Sequence, residues 1–106
     1  MRPALFHPKA LEAIRSFPKR ARHDIGEAVL ELQKGSRLTM PLSRPMRSVG
    51  SGVQEIRVRD AAGIYRAFYV VQSARGVIVF HAFEKRTQKT PRSEIQLGRQ
   101  RLREIL

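Results

Sequence analysis

The sequence predicts an α+β fold, with an N-terminal helical hairpin and a C-terminal helix packed on a small antiparallel sheet. Three observations carry this expectation. Apolar residues recur at helical spacing up to Leu32, alternate from Val53 onward, and return to helical spacing after Pro91. Short turns rich in Gly, Asp and Ser separate three runs of aromatic and β-branched residues, which is the pattern of a meander. The chain has 106 residues, enough to bury one modest core, so residues 1–106 are expected to form a single domain.

The elements follow in order. In "HPKALEAIRSFP", Pro8 suits the first turn of a helix, and Ala10, Leu11 and Ile14 share a face. Pro18 ends that helix and starts the next. In "PKRARHDIGEAVLELQKG", Ala21, Ile25, Ala28, Val29 and Leu32 line one face, and Gly35 is placed as a stop. The stretch "SRLTMPLSRPMRSVGSG" has no sustained period and reads as a connecting loop. "VQEIRVRD" then puts Ile56 and Val58 on one face and Glu55, Arg57 and Arg59 on the other. "IYRAFYVV" and "VIVFHAF" supply two more strands, reached through the turns "DAAG" and "SARG". In "TPRSEIQLGRQRLREIL", Thr90 is placed as a cap and Pro91 at the first helical position, with Ile95, Leu102 and Leu106 on one face. Helices on one face of the sheet leave the other open, and Arg57 and Arg59 are expected to point there.

Charge is the strongest global signal. Lys and Arg number 21 against nine acids, a formal charge of +12. Such a field attracts phosphates and speeds encounter with them. Arg outnumbers Lys sixteen to five, which suits phosphate because the planar guanidinium donates two parallel hydrogen bonds. The charge is clustered: Leu32–Gln54 holds four cations and no acid, and Lys85–Arg103 holds seven against Glu94 alone. No segment joins basic charge to a broad apolar face, so a membrane partner is not expected. No stretch has the unbroken apolar core of a signal peptide, and there is no cysteine; a cytoplasmic protein is the simplest expectation.

Most catalytic chemistries lack their parts. His7, His23 and His81 fall in three different elements, so no metal site is expected. Neither a phosphate-cradling glycine loop nor a nucleophile elbow is present, and no cofactor is expected. There remains a cationic face with Tyr65, Tyr69, His81, Lys85 and Glu55 as candidates for moving protons. That set suits RNA cleavage, because RNA carries its own nucleophile in the 2′-hydroxyl. A protein need only align that group, move protons and stabilise charge on the phosphorane. A non-catalytic module that binds nucleic acid or a partner would show the same composition.

Two stretches, "GVQEIRVRDAAGIYRAFYV" and "VFHAFEKRTQKTPRSEI", resemble the RelE/HigB superfamily of bacterial toxins, and in particular its phage-derived, Gp49-like HigB branch. The matching motifs are a glycine-led strand over Val53–Arg59, a "YR" strand over Ile64–Tyr69, and an "HAFEKRTQKTP" tail over His81–Pro91. They run in order across residues 50–97, and the helical hairpin before them fits the same layout. The resemblance implies the toxin of a type II toxin–antitoxin system: a ribosome-dependent mRNA endoribonuclease held inactive by a helix-turn-helix antitoxin. Its partners would be that antitoxin, mRNA and the ribosome, with operator DNA reached only through the antitoxin. The alternative is a degenerate toxin that binds without cutting.

By position, the resemblance implies that Arg66 stabilises the scissile phosphate and that Lys85 helps to close the site. Arg57, Arg59, Arg86 and Lys89 would bind RNA. Phe83 reads from the residues as core or sheet filler, with stacking on a base as the other reading. His81 and Tyr65 are the proton-transfer candidates. Two departures stand out. Glu55 occupies a position where some relatives carry a cation, and the opening strand is reduced to "RPALF". Strand alternation also separates Arg66 from Tyr65, and the family match favours Arg66 as the residue facing the cleft.

Overall fold

A computed structural model describes all residues, Met1 to Leu106. The order is β1 (Ala4–Phe6), α1 (Pro8–Ser16), α2 (Lys19–Gln33), β2 (Ser43–Pro45), β3 (Gln54–Arg59), β4 (Ile64–Gln72), β5 (Gly76–Lys85) and α3 (Arg92–Ile105). The strands form one sheet in the order β1-β5-β4-β3-β2. The expected meander β3-β4-β5 is at its centre, paired antiparallel throughout. The sheet as a whole is mixed, because β1 runs parallel to β5. Strand β2 lies in the stretch read as a loop: only three residues pair with β3, too few for a periodic signal.

Local chemistry accounts for the ends of the elements. Pro8 begins α1, and the His7 side chain accepts a hydrogen bond from the Lys9 N–H in place of a usual cap. The β3–β4 turn is held by Asp60, whose carboxylate accepts from the N–H groups of Ala62 and Gly63. Gly76 opens β5 at a φ of 84°, and a Cβ there would collide with the Pro3 carbonyl oxygen. The expected start of α3 is corrected. Pro91 is the cap residue rather than the first helical one, no side chain caps the helix, and the Thr90 hydroxyl has no partner.

Both faces of the sheet are covered, in part contrary to expectation. Helices α1 and α2 bury Ile56, Val58, Tyr65, Ala67, Tyr69, Val77 and Val79 on the first face. On the second, Met46, Val49, Val53, Phe68, Phe80 and Phe83 form a smaller core against Ile95, Leu102 and Ile105 of α3. Leu106, expected on one face with Ile95 and Leu102, is exposed where those two pack against the sheet. A β-bulge adds β5 residues to this second core. Phe68 pairs with His81 and Tyr69 with Val79, leaving Phe80 unpaired, so Phe80 and His81 both serve the α3 face. The aromatic patch this creates needs a cover, and α3 supplies it. Only the part of the second face beyond α3 stays open, and the arginines collect there.

Candidate nucleic-acid interface

Strand register sets the site. Three cross-strand rows lie side by side on the second face. Arg44 pairs with Glu55, and Glu55 with Phe68. In the next row Arg57 pairs with Arg66, and Arg66 with Phe83. In the third, Arg59 and Lys85 flank Ile64. Like charges placed directly opposite, as Arg57 and Arg66 are, destabilise a sheet unless something offsets them. Here the offset is Glu55, one residue row away.

Glu55 is only 1% exposed, and its Oε1 lies 3.6 Å from Arg44 Nε, 3.9 Å from Arg57 Nε and 3.6 Å from Arg66 Nε. One buried carboxylate therefore faces three guanidiniums. None of these approaches is a hydrogen bond: Glu55 Oε2, Arg57 Nε and Arg66 Nε are all buried without a partner. Buried polar groups are nearly always paired, so here the ion pairs with Glu55 stand in for hydrogen bonds that the geometry does not make. Arg66 is 5% exposed and donates one weak hydrogen bond, at 3.3 Å, to the Tyr65 carbonyl. Burial pushes its guanidinium pKa down, Glu55 raises it, and Arg57, Arg44 and Arg59 lower it again. Burial likewise lowers the Lys85 ammonium, with Arg66 the next cause and Glu55 acting against both. Positive charge thus exceeds what the single acid can balance. A cleft of about 400 Å³ lined by Pro41, Leu42, Arg57, Arg59 and Arg66 opens onto this face.

The sequence candidates divide into those gathered here and those placed elsewhere. Arg57, Arg59, Arg66 and Lys85 come together. Tyr65 lies on the opposite face, its ring centroid 4.8 Å from that of Phe17, as strand alternation requires. His81 is on the correct face but buried beneath α3, donating from Nε2 to Glu94 at 2.7 Å and accepting at Nδ1 from Arg101 at 2.9 Å. Burial is the main cause that lowers its pKa, the Glu94 hydrogen bond opposes this, and Arg101 lowers it further. Phe83 is buried between Phe68 and His81 and belongs to the small core, with no ring face left for a base. Arg86 is 80% exposed and pairs with Glu84, away from the cluster. Lys89 borders an adjoining groove with Arg44 and Arg47. Arg44 is a member of the cluster that sequence reasoning does not find, because its strand is too short to read between Pro41 and Pro45. Glu55 reads from the sequence as a proton carrier, whereas the structure makes it the centre of the charge.

A family model described as phage derived protein Gp49-like matches residues 12–103. Comparison with curated proteins gives no match. Among solved structures, a double arginine-to-alanine mutant of the E. coli toxin RelE in the free state is similar at a TM-score of 0.66 and 20% identity, covering 97% of this chain and 96% of that one. The isolated E. coli RelE toxin is similar at a TM-score of 0.59 and 17% identity, over 100% of both chains. At such identities these likenesses show the fold. No helix of the chain is long and apolar enough to cross a membrane.

Proposed function

The chain belongs to the phage-derived Gp49-like family, and from that membership, its RelE-like fold and its arginine cluster we propose that it is the toxin of a type II toxin–antitoxin system. Its activity in this reading is ribosome-dependent cleavage of mRNA. The observation that carries the proposal is the convergence of Arg44, Arg57 and Arg66 on one buried carboxylate, beside a cleft that Arg57, Arg59 and Arg66 line.

The chemistry follows from that geometry. The ribose 2′-hydroxyl attacks the adjacent phosphorus, the bond to the 5′-oxygen breaks, and a 2′,3′-cyclic phosphate remains. Negative charge builds on the non-bridging oxygens in between. Arg66, desolvated and held by the sheet, meets that charge with little reorganisation. Arg57 and Arg59 hold the flanking backbone. Lys85, with its ammonium pKa depressed, is the group of the cluster best suited to pass a proton. Glu55 keeps the guanidiniums in place, since each of the three leans on the same oxygen.

A second reading is a binding module without catalysis. One observation favours it: Tyr65 and His81, the conventional proton carriers, both stand outside the cluster. Induced expression followed by mapping of mRNA ends separates the two. The toxin reading expects growth arrest and new 2′,3′-cyclic phosphate ends that need translating ribosomes. Intact mRNA under an abundant, folded protein would leave the binding module.

A further inference from the structure

A second basic groove lies beside the arginine cluster, between the β2–β3 loop and the start of α3. Two adjoining hollows, of about 360 and 560 Å³, share Ser48, Thr90 and Ile95. Arg44, Arg47 and Lys89 border the first, and Arg92 and Arg99 the second. Arg99 Nε donates to the Ser48 carbonyl at 2.7 Å, which fixes one wall to the other and leaves its terminal nitrogens free. Arg47, Lys89 and Arg92 have no acidic partner.

Two features say that this charge awaits an anion. The groove meets the N-terminus of α3, a 14-residue helix with no side-chain cap, where backbone N–H groups and the helix dipole already favour negative charge. Placing Lys89 and Arg92 at that positive end is unfavourable by itself. Glu94, the acid of the first turn, is engaged by His81 and does not relieve them. Thr90 lines both hollows, so the two form one continuous groove.

Arg44 joins the two sites. Its Nε is 3.6 Å from Glu55 in the cluster, and its side chain also lines the groove. We propose that single-stranded RNA held at Arg66 continues past Arg44 into this groove, where its next phosphates bind Arg47, Arg92 and Arg99. The groove is thus a backbone-tracking subsite that sets how many nucleotides the protein engages. This rests on the RNA-cleaving reading above. Four of its five cations are arginine, whose fork fits phosphate oxygens.

The test uses RNA oligonucleotides made uncleavable by 2′-O-methyl groups, three and nine nucleotides long, titrated against the full chain at several salt concentrations. Wild type should bind the nonamer tighter and with a steeper salt dependence. The double variant Arg47→Ala, Arg92→Ala, both at exposed positions and checked by thermal melting, should bind the trimer as wild type does. For the nonamer its log–log salt slope should fall by about 1.4, roughly 0.7 for each single-strand phosphate that is no longer neutralised. An unchanged slope overturns the groove, as does a wild type that binds both lengths equally or binds neither. Displacement of the nonamer by polyglutamate of matched charge, as effective as by RNA, also overturns it and makes the groove an acidic-protein surface. Cleavage by Arg66→Ala reads the parent proposal separately, so a failure of the groove is told apart from a failure of that reading.

Discussion

At the scale of single residues, Glu55 has the most to explain. A carboxylate buried among three guanidiniums offsets repulsion that the strand register would otherwise impose on Arg57 and Arg66. Removing one partner of a buried ion pair is far costlier than replacing the whole set, because the remaining charge stays desolvated. Glu55→Ala is therefore expected to destabilise the fold by about 3 kcal/mol, the lower end for such losses because Arg44 and Arg57 can still reach water. Denaturant unfolding measures this directly. Added polyphosphate should restore part of the loss by binding the native cluster. A variant as stable as wild type would show that Glu55 is not the counter-charge that holds the cluster.

At the scale of elements, α3 is docked through two histidines and one glycine. His7 Nε2 donates to Glu104 at 2.8 Å and His81 Nε2 to Glu94 at 2.7 Å, so both ends of the helix are tied to the sheet side. Between them Gly98 lies against Phe68, and a Cβ at that position would stand 2.8 Å from the Phe68 ring. Gly98→Ala sets two effects against each other. Helix propensity favours Ala by up to about 1 kcal/mol. Overpacking against a buried ring costs about 1–3 kcal/mol, and since Phe68 is fully buried it cannot swing away. Net destabilisation is expected, read as a lower melting temperature. A gain in stability would mean that α3 moves outward freely.

His81 gives this docking a pH dependence. Its folded pKa lies below the ordinary imidazole value of 6.5, through burial first and Arg101 next, with Glu94 opposing. The unfolded chain thus takes up a proton before the folded one does. The stability contributed is complete above about pH 6.5 and is lost as pH falls toward the folded value. Protonation also forfeits the bond that Arg101 donates to Nδ1. The surrounding groups are Glu94 and Arg101 of α3, His7, and the rings of Phe68 and Phe83. Melting curves between pH 7.5 and about pH 5.5, compared with His81→Gln, check it. Wild type should lose more stability than the variant over that interval; equal losses would remove His81 from the account.

Why some elements are legible in the sequence and others are not is a matter of length and of long-range effects. The amphipathic face of α2 and the alternation of Ile56 and Val58 repeat often enough to show a period. Three-residue β1 and β2 do not, so the mixed sheet and Arg44 stay hidden. The Phe80 bulge depends on pairing with β4, which no local pattern announces. Arg57, Arg59, Arg66 and Lys85 are legible because alternation and motif agree. The shared face of Phe80, His81 and Phe83 depends on that bulge, and the helix that covers them has no local signal either.

At the scale of the whole molecule, a charge of +12 governs encounter. Affinity for RNA or ribosomes should fall steeply with salt as phosphate counterions are released, and a flat titration would assign the charge to another purpose. The same field suits a protein inhibitor. An antitoxin that covers the Arg57, Arg59 and Lys85 face with acidic groups would dock quickly and block the cluster. A complex in which the partner touches only α1 and α2 while cleavage continues would contradict that arrangement.

The central claim is that Arg66 stabilises charge that appears only during cleavage. The most direct measurement is single-turnover cleavage of mRNA on programmed ribosomes by Arg66→Ala and Arg66→Lys, with a thermal melt of each. Arg66→Ala should cut about 10²–10³-fold more slowly, the loss typical of one preorganised donor. Arg66→Lys should keep the ion pair with Glu55 and most of the stability yet fail to restore the rate, because a point charge does not replace a fork. Ribosome binding should change little in either, since Arg57, Arg59 and Lys85 remain. A folded Arg66→Ala protein that cuts at a near-normal rate, with its loss confined to the melt, would make Arg66 a structural partner of Glu55 and contradict the account.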